Sequence, residues 1–232
     1  MPFTGHADAG AMARDIAQRL HGACTTAIAA RGRAWLALAG GSTPLPAYRA
    51  FAATALPWHC IEAIPTDERC VPAGHPACNL RALGEAFAGA HGFEMHALTT
   101  TDGDCDRSLE AARALLARHR VPFDAVVLGM GADAHFASLF PGAAGLAGAL
   151  DAAGDADVVR IDPDPLPSEA PFARISLTLA RLLRARELHL VVTGDAKRRV
   201  LGQAAAGDDP LRCPVAALLH AKPASLHVHW AA

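Results

Sequence analysis

Short unbroken apolar runs alternate along this chain with longer stretches whose apolar residues recur every three or four positions. Ala7 to Ala30 is the first such stretch. Met12, Ile16, Leu20, Ala23 and Ala27 fall on one helical face, and Arg31-Gly32-Arg33 ends it. Ala34 to Ala39 is continuously apolar, the pattern of a strand buried on both faces. Gly40-Gly41-Ser42-Thr43-Pro44 follows directly. Pro44 suits the first turn of a helix through Tyr48 and Phe51, with Ser42 or Thr43 as its cap. Cys60 to Ile64 predicts a second strand, stopped by Pro65-Thr66-Asp67-Glu68-Arg69.

The same reading carries to the end of the chain. Asn79 to Ala88 is helical, Phe93 to Ala97 is a brief strand, and a helix runs from about Asp106 to Arg118. Phe123 to Leu128 is a buried strand, broken by Gly129 and Gly131. Ala143 to Asp157 is small and acidic and predicts a surface excursion. Asp162 to Pro171, rich in proline and acid, predicts a loop. Arg174 to Leu177 is read as a strand, Thr178 to Ala185 as a helix, and Leu188 to Thr193 as another buried strand. Gly194-Asp195-Ala196-Lys197 opens a helix to about Ala205, Pro214 to His220 is a short helix, and Ser225 to Trp230 alternates and closes the sheet. Strands that alternate with helices predict an α/β layered domain with a largely parallel sheet. With no linker, low-complexity tract or repeat, residues 1–232 read as one domain.

Composition narrows the possibilities. An apolar fraction of 52% is ample for a core. A formal charge of −2 gives no field to hold nucleic acid or a membrane surface. No run approaches the ~20 apolar residues of a membrane helix, and no signal peptide is visible at the N-terminus. The six cysteines, Cys24, Cys60, Cys70, Cys78, Cys105 and Cys213, form no Cys-x-x-Cys pair. Their scatter is expected of reduced thiols in a cytoplasmic protein.

Four strand ends carry polar residues: Gly40 to Thr43, Asp67 to Arg69, Asp133 to His135, and Gly194 to Lys197. In a parallel sheet such ends lie along one edge, so residues distant in sequence face one cleft. Gly40-Gly41-Ser42-Thr43 resembles a phosphate cradle, because glycines admit an anion to the backbone and the next helix offers free N–H groups. Neither Gly-x-Gly-x-x-Gly nor Gly-Lys-Ser/Thr is present, which argues against dinucleotides and ATP. Lys197 begins a helix, where a positive charge opposes the helix dipole and a bound phosphate would resolve the conflict. Arg69 could hold a phosphate or an oxyanion, although three charges in a row also describe a surface turn. His135, two residues after Asp133, is the side chain there whose ordinary pKa suits proton transfer near neutral pH.

Other groupings carry less. Cys70, His75 and Cys78 lack a fourth zinc ligand at matching spacing. His227 and His229 share a strand face and read as a solvated edge rather than a metal site. Ser138 lacks the flanking glycines of a nucleophile elbow.

Five ordered motifs make a more specific pattern: Leu38-Ala39-Gly40-Gly41-Ser42-Thr43-Pro44; Asp67-Glu68-Arg69-Cys70-Val71-Pro72 with Cys78-Asn79; Leu128-Gly129-Met130-Gly131-Ala132-Asp133-Ala134-His135 through Ser138-Leu139-Phe140-Pro141-Gly142; Arg174-Ile175-Ser176-Leu177; and Gly194-Asp195-Ala196-Lys197. In these the chain resembles the 6-phosphogluconolactonase family over nearly its whole length. The resemblance implies a three-layer αβα fold with a modified Rossmann-like, largely parallel sheet, shared with glucosamine-6-phosphate deaminases. It implies hydrolysis of 6-phospho-D-glucono-1,5-lactone in the oxidative pentose phosphate pathway, with no required cofactor. Two positions depart from the family pattern: Ala134 stands where glycine is usual, and Cys78 where serine is usual.

The expected substrate is therefore a small sugar phosphate, and the expected assembly a monomer or weak homodimer. Gly40, Gly41, Ser42, Thr43 and Lys197 would hold the phosphate, with Arg174 as a further contact. His135 would take a proton from water, Arg69 or a backbone N–H would meet the oxyanion, and Asp67 would orient His135 or the water. The alternatives are a glucosamine-6-phosphate deaminase or isomerase and a non-catalytic sugar-phosphate-binding module. Against the first, Ser138-Leu139-Phe140-Pro141 stands where that family typically has Asn-Glu-Pro.

Overall fold

The apolar runs become sheet strands because both of their faces find cover. The computed structural model describes every residue except Met1, Glu169, Asp208, Lys222 and Ala224. In chain order its elements are β1 (Phe3–Gly5), α1 (Ala9–Arg31), β2 (Ala34–Leu38), α2 (Leu45–Ala52), β3 (Ile61–Pro65), β4 (Asp67–Arg69), α3 (Asn79–Ala86), β5 (Glu94–Met95) and α4 (Cys105–Arg118). There follow β6 (Ala125–Gly129), α5 (Leu146–Ala149), β7 (Val158–Ile161), β8 (Arg174–Leu177), α6 (Leu179–Leu183), β9 (Leu188–Thr193), α7 (Asp195–Ala206), α8 (Val215–His220) and β10 (Leu226–Ala231).

Seven strands form one sheet in the order β1-β10-β9-β6-β2-β3-β5, and every pairing in it is parallel. Successive residues of each central strand face opposite layers, as the pleat requires. Leu36 and Leu38 of β2, with Ala125 and Val127 of β6, pack against α1, α2 and α3. Trp35, Ala37, Val126 and Leu128 pack on the other side, with α4, α6, α8 and a small second sheet. The result is the three-layer αβα arrangement expected from the sequence.

The helix ends follow local chemistry. Asp8 accepts from the Ala11 N–H at the start of α1, and Gly32, at φ 75°, ends it in the left-handed conformation that glycine adopts without cost. Pro44 rather than Ser42 or Thr43 occupies the N-cap of α2, and no side chain caps that helix. The two hydroxyls are thereby left for other partners.

Several expectations are corrected. Arg174–Leu177 is a strand, but it belongs to a separate antiparallel sheet, β4-β8-β7, not to the parallel one. The predicted surface excursion buries Ala143, Leu146, Ala149 and Leu150 in the core and contains α5. β10 does not close the sheet, because β1 pairs outside it. His229 is therefore fully buried rather than on a solvated edge. Burial, with His189 and Arg19 nearby, pushes its imidazole down to about 3. Two of the six cysteines are not free thiols. Cys70 and Cys105 form a disulfide, with Cα atoms 5.3 Å apart, that joins the end of β4 to the start of α4.

At the amino ends of the strands, the buried Asp124 fixes the start of β2 and β6. It accepts from the Trp35 backbone N–H at 2.9 Å, while the Trp35 carbonyl accepts from the Asp124 N–H at 2.7 Å. Arg31 and Arg186 pair with the same carboxylate. Replacing Asp124 by Ala leaves a buried N–H without an acceptor, at a cost of about 2 kcal/mol. Urea denaturation of Asp124→Ala should show a lower midpoint by that amount with an unchanged slope.

Candidate active site

The carboxyl ends of β9, β6, β2 and β3, four neighbours in the sheet, deliver the four polar motifs to one edge. Between β2 and β6 the chain reverses its direction of strand addition, the place where open parallel sheets leave a crevice. A cleft of about 550 Å³ lies there. Gly40, Gly41, Ser42, Thr43, Asp67, Arg69, His135, Arg174 and Lys197 all line it, while Asp133 stands outside the lining.

The histidine loop is built on a glycine. The Gly131 N–H donates to the His135 carbonyl at 2.9 Å, and the Ala134 N–H to the Gly131 carbonyl at 3.2 Å. This tight turn folds the His135 ring and the Asp133 carboxylate back over Gly131, where any Cβ would strike both. His135 Nδ1 lies 2.6 Å from Asp133 Oδ1. Burial raises the Asp133 carboxyl, but the hydrogen bond and charge of His135 outweigh it and hold it below its ordinary value. The ring stacks on Phe140 at 4.1 Å between centroids, and the Arg174 guanidinium covers the same Phe140 at 4.6 Å. His135 is thus fixed by a carboxylate at one nitrogen and an aromatic face, with its other nitrogen unclaimed among the described residues.

Asp67 sits differently from its expected role. Its carboxylate accepts from Ser138 Oγ at 2.5 Å and from Thr66 Oγ1 at 3.0 Å, and the carboxylate on His135 is that of Asp133. Ser138, set aside as a nucleophile, is a buried strut between the histidine loop and β4, and its N–H donates to Ser176 Oγ of β8.

Of the three charges in a row, Asp67 and Glu68 are buried and hydrogen-bonded, while Arg69 is half-buried and keeps an Nε without an acceptor among the described residues. Glu68 caps α3 from outside, accepting from the N–H groups of Arg69, Asn79 and Leu80 at 2.7–2.8 Å. Burial still raises its carboxyl above the usual value against those bonds. Cys78 Sγ adds a weak contact to Glu68 at 3.4 Å. Arg69 Nη1 donates to Asn79 Oδ1 and the Ala77 carbonyl, and Asn79 Nδ2 donates to the Asp67 carbonyl. The Asn79 side chain also fills the space a Cβ on Gly40 would need. Asn79 thus ties the glycine loop, β4 and Arg69 together, a role visible in the sequence only as part of the Cys78-Asn79 motif.

The remaining cations face the cleft with capacity to spare. Arg174 is 2% exposed, and its Nη2 donates to the Ala170 carbonyl while its Nη1 is buried without an acceptor among the described residues. Burial pushes its guanidinium down, and the Asp67 carboxylate pulls it back. Lys197 stands in the first turn of α7 with no ion-pair partner among the described residues. An oxyanion between Lys197, Arg174 and the free ends of Gly40 to Thr43 would meet donors on several sides. The surroundings of Cys70, His75 and Cys78 offer no metal site, since Cys70 is in the disulfide and His75 Nδ1 accepts from the Ala77 N–H.

Known proteins resemble this chain over nearly its whole length. The model of the family "Glucosamine-6-phosphate isomerases/6-phosphogluconolactonase" matches residues 7–230. A 6-phosphogluconolactonase of Caulobacter vibrioides is 40% identical over 215 residues, 91% of this chain and 89% of that protein. One from Rhizobium meliloti is 34% identical over 225 residues, 96% of this chain and 94% of that protein. The crystal structure of a 6-phosphogluconolactonase from Shewanella baltica superposes with a TM-score of 0.91 at 31% identity, over 100% of this chain and 98% of that one. A monomeric glucosamine-6-phosphate deaminase superposes at 0.79 with 18% identity, over 100% and 97%, and shares the fold.

The residue between the acid and the histidine is held at a cost. Ala134 has φ 67°, a left-handed conformation that costs an L-residue about 1–2 kcal/mol. Its carbonyl accepts from the Val215 N–H, which helps hold it there. Ala134→Gly relieves that strain but loses a buried methyl worth about 0.8 kcal/mol and gains about 0.5–1 kcal/mol of unfolded-chain freedom, so stability should barely change. Ala134→Val should cost at least about 2 kcal/mol, since a branched side chain suits neither the backbone nor the packed pocket. Urea midpoints of the two variants check this, and equal tolerance of valine would mean the turn is not held left-handed.

Proposed function

The chain belongs to the family of glucosamine-6-phosphate isomerases and 6-phosphogluconolactonases, and from that premise we infer that its cleft hydrolyses 6-phospho-D-glucono-1,5-lactone to 6-phospho-D-gluconate. The observation that carries the reading is His135, held by Asp133, lining the same cleft as Lys197 and the Gly40–Thr43 loop.

The phosphate lies among Lys197, the hydroxyls of Ser42 and Thr43, the backbone of Gly40 and Gly41, and Arg174 Nη1. This anchors the lactone ring with its C1 carbonyl toward His135. Asp133 accepts the Nδ1 proton and so leaves a lone pair on Nε2. Nε2 removes a proton from water as the water oxygen bonds to C1. The carbonyl π pair moves to its oxygen, where Arg69 or a backbone N–H meets the charge. When the tetrahedral intermediate collapses, the C1–ring oxygen bond breaks and Nε2–H returns the proton to the departing oxygen. The product carboxylic acid then ionises. Asp67 acts at one remove, through Ser138, by holding the histidine loop against β4.

His135→Ala should lower kcat/KM by about 10²–10⁴-fold, the usual worth of general-base assistance. The assay is lactone hydrolysis measured above the spontaneous rate, and a variant near wild type would remove His135 from this role. Lys197→Ala should act chiefly on KM, raising it about tenfold or more through loss of a charge-assisted bond. Asp133→Asn should lower kcat with little change in KM, because the tautomer rather than the substrate contact is disturbed. Ammonia release from glucosamine-6-phosphate by the wild-type protein would favour the deaminase alternative, and none is expected.

A further inference from the structure

The buried histidine of β10 lies in a cluster that the cleft does not use. His6, just past β1, places Nε2 3.3 Å from His229 Nδ1. Asp15 of α1 places Oδ2 3.4 Å from the same His229 Nδ1 and 3.9 Å from His6 Nε2. The three atoms converge on one point, and none of the three residues lines the cleft. His229 is wholly buried and the His6 side chain nearly so, while the Asp15 side chain is 30% exposed and opens the cluster to solvent on one side.

The spacing is that of ligands rather than of packing. Around a tetrahedral zinc with bonds of about 2.0–2.1 Å, neighbouring ligand atoms stand about 3.3 Å apart. Two of the three separations already have this value, and a small turn of the His6 ring closes the third.

The protons behind the cluster point the same way. His189 Nε2 makes no hydrogen bond among the described residues, but the Glu187 carboxylate 3.4 Å away favours a proton on that nitrogen. His189 Nδ1 then accepts from His229 Nε2, 3.2 Å away. His229 is left with a bare lone pair on Nδ1, aimed at the Asp15 carboxylate and His6. A metal-binding histidine is commonly oriented in this way, its far nitrogen donating to a second partner. Arg19 Nε donates to Asp15 Oδ2 at 2.9 Å, and the carboxylate has further lone pairs for a cation.

We propose that His6, Asp15 and His229 form a binding site for a divalent cation of the zinc type, with water in the fourth position. Two imidazoles and one carboxylate select zinc and its late first-row neighbours over magnesium or calcium, which require oxygen ligands. The ion would pin the exit of β1, the edge strand, to α1 and β10. The proposal does not depend on the chemistry assigned to the cleft.

Calorimetric titration of the metal-stripped full chain with zinc chloride tests it. One ion per chain should bind, and the melting temperature should rise with added zinc chloride. His6→Ala and Asp15→Asn should each weaken binding tenfold or more. Asp15→Asn keeps the side-chain shape, so it remains informative if His6→Ala fails to fold. Glu62, His96 and His119 form a second cluster of ligand-type residues, in which His96 Nε2 is already engaged by Glu62 at 2.8 Å. His96→Ala should therefore leave binding unchanged. Absence of binding, unaltered affinity in Asp15→Asn, or loss of binding in His96→Ala would each overturn the assignment.

Discussion

The hydrogen bond from Ser138 to Asp67 is the contact on which the cleft depends. It joins residues 71 positions apart and is buried at both ends. On one side is the loop that carries His135; on the other is β4, which carries Arg69. A buried carboxylate with a single short hydroxyl donor, a second from Thr66 and arginines nearby is strongly committed to its place. The distance between the His135 loop and the strand that carries Arg69 is therefore set by a buried polar strut.

The parallel sheet was legible because its strands are apolar on both faces, and a run such as Ala34 to Ala39 has few other uses. The strand ends were legible for the same reason, since polar residues after such a run must face the carboxyl edge. The small sheet β4-β8-β7 was harder. Asp67-Glu68-Arg69 has the composition of a surface turn, and its burial depends on partners supplied by Asn79, Leu80 and Ser138. Local pattern cannot report such long-range satisfaction. His229 was misread for a related reason: alternation in β10 implied one wet face, and the three-residue strand outside it is too short to announce itself by periodicity. The Cys70–Cys105 pairing joins residues brought together by the fold, and spacing alone holds no trace of it.

The assignment of Asp67 and Asp133 shows where motif reading stops. Both acids lie at strand ends, but only Asp67 lines the cleft, while Asp133 stands behind the imidazole. Which one holds the imidazole is decided by the turn from Gly131 to His135, in which Gly131 lets the chain fold back and Ala134 accepts a left-handed backbone. Strain of this kind persists where surrounding contacts over-determine it, and here the Val215 N–H and the buried setting of Ala134 supply them.

Gly40 and Gly131, on neighbouring strand ends, are each overlaid by a side chain from elsewhere: Asn79 in one case, His135 with Asp133 in the other. The floor of the cleft is in this sense lent out. A methyl group at 131 would take the volume of the imidazole itself, so the glycine and the histidine are alternatives for one space. On the proposed role of His135, a lineage that kept turnover could not exchange that glycine, while one that lost the histidine could fill the gap at once. Having filled it, the chain could regain the base only by first emptying the space again. The order of substitutions then works as a ratchet, and loss of hydrolysis at this site would be far easier to enter than to leave.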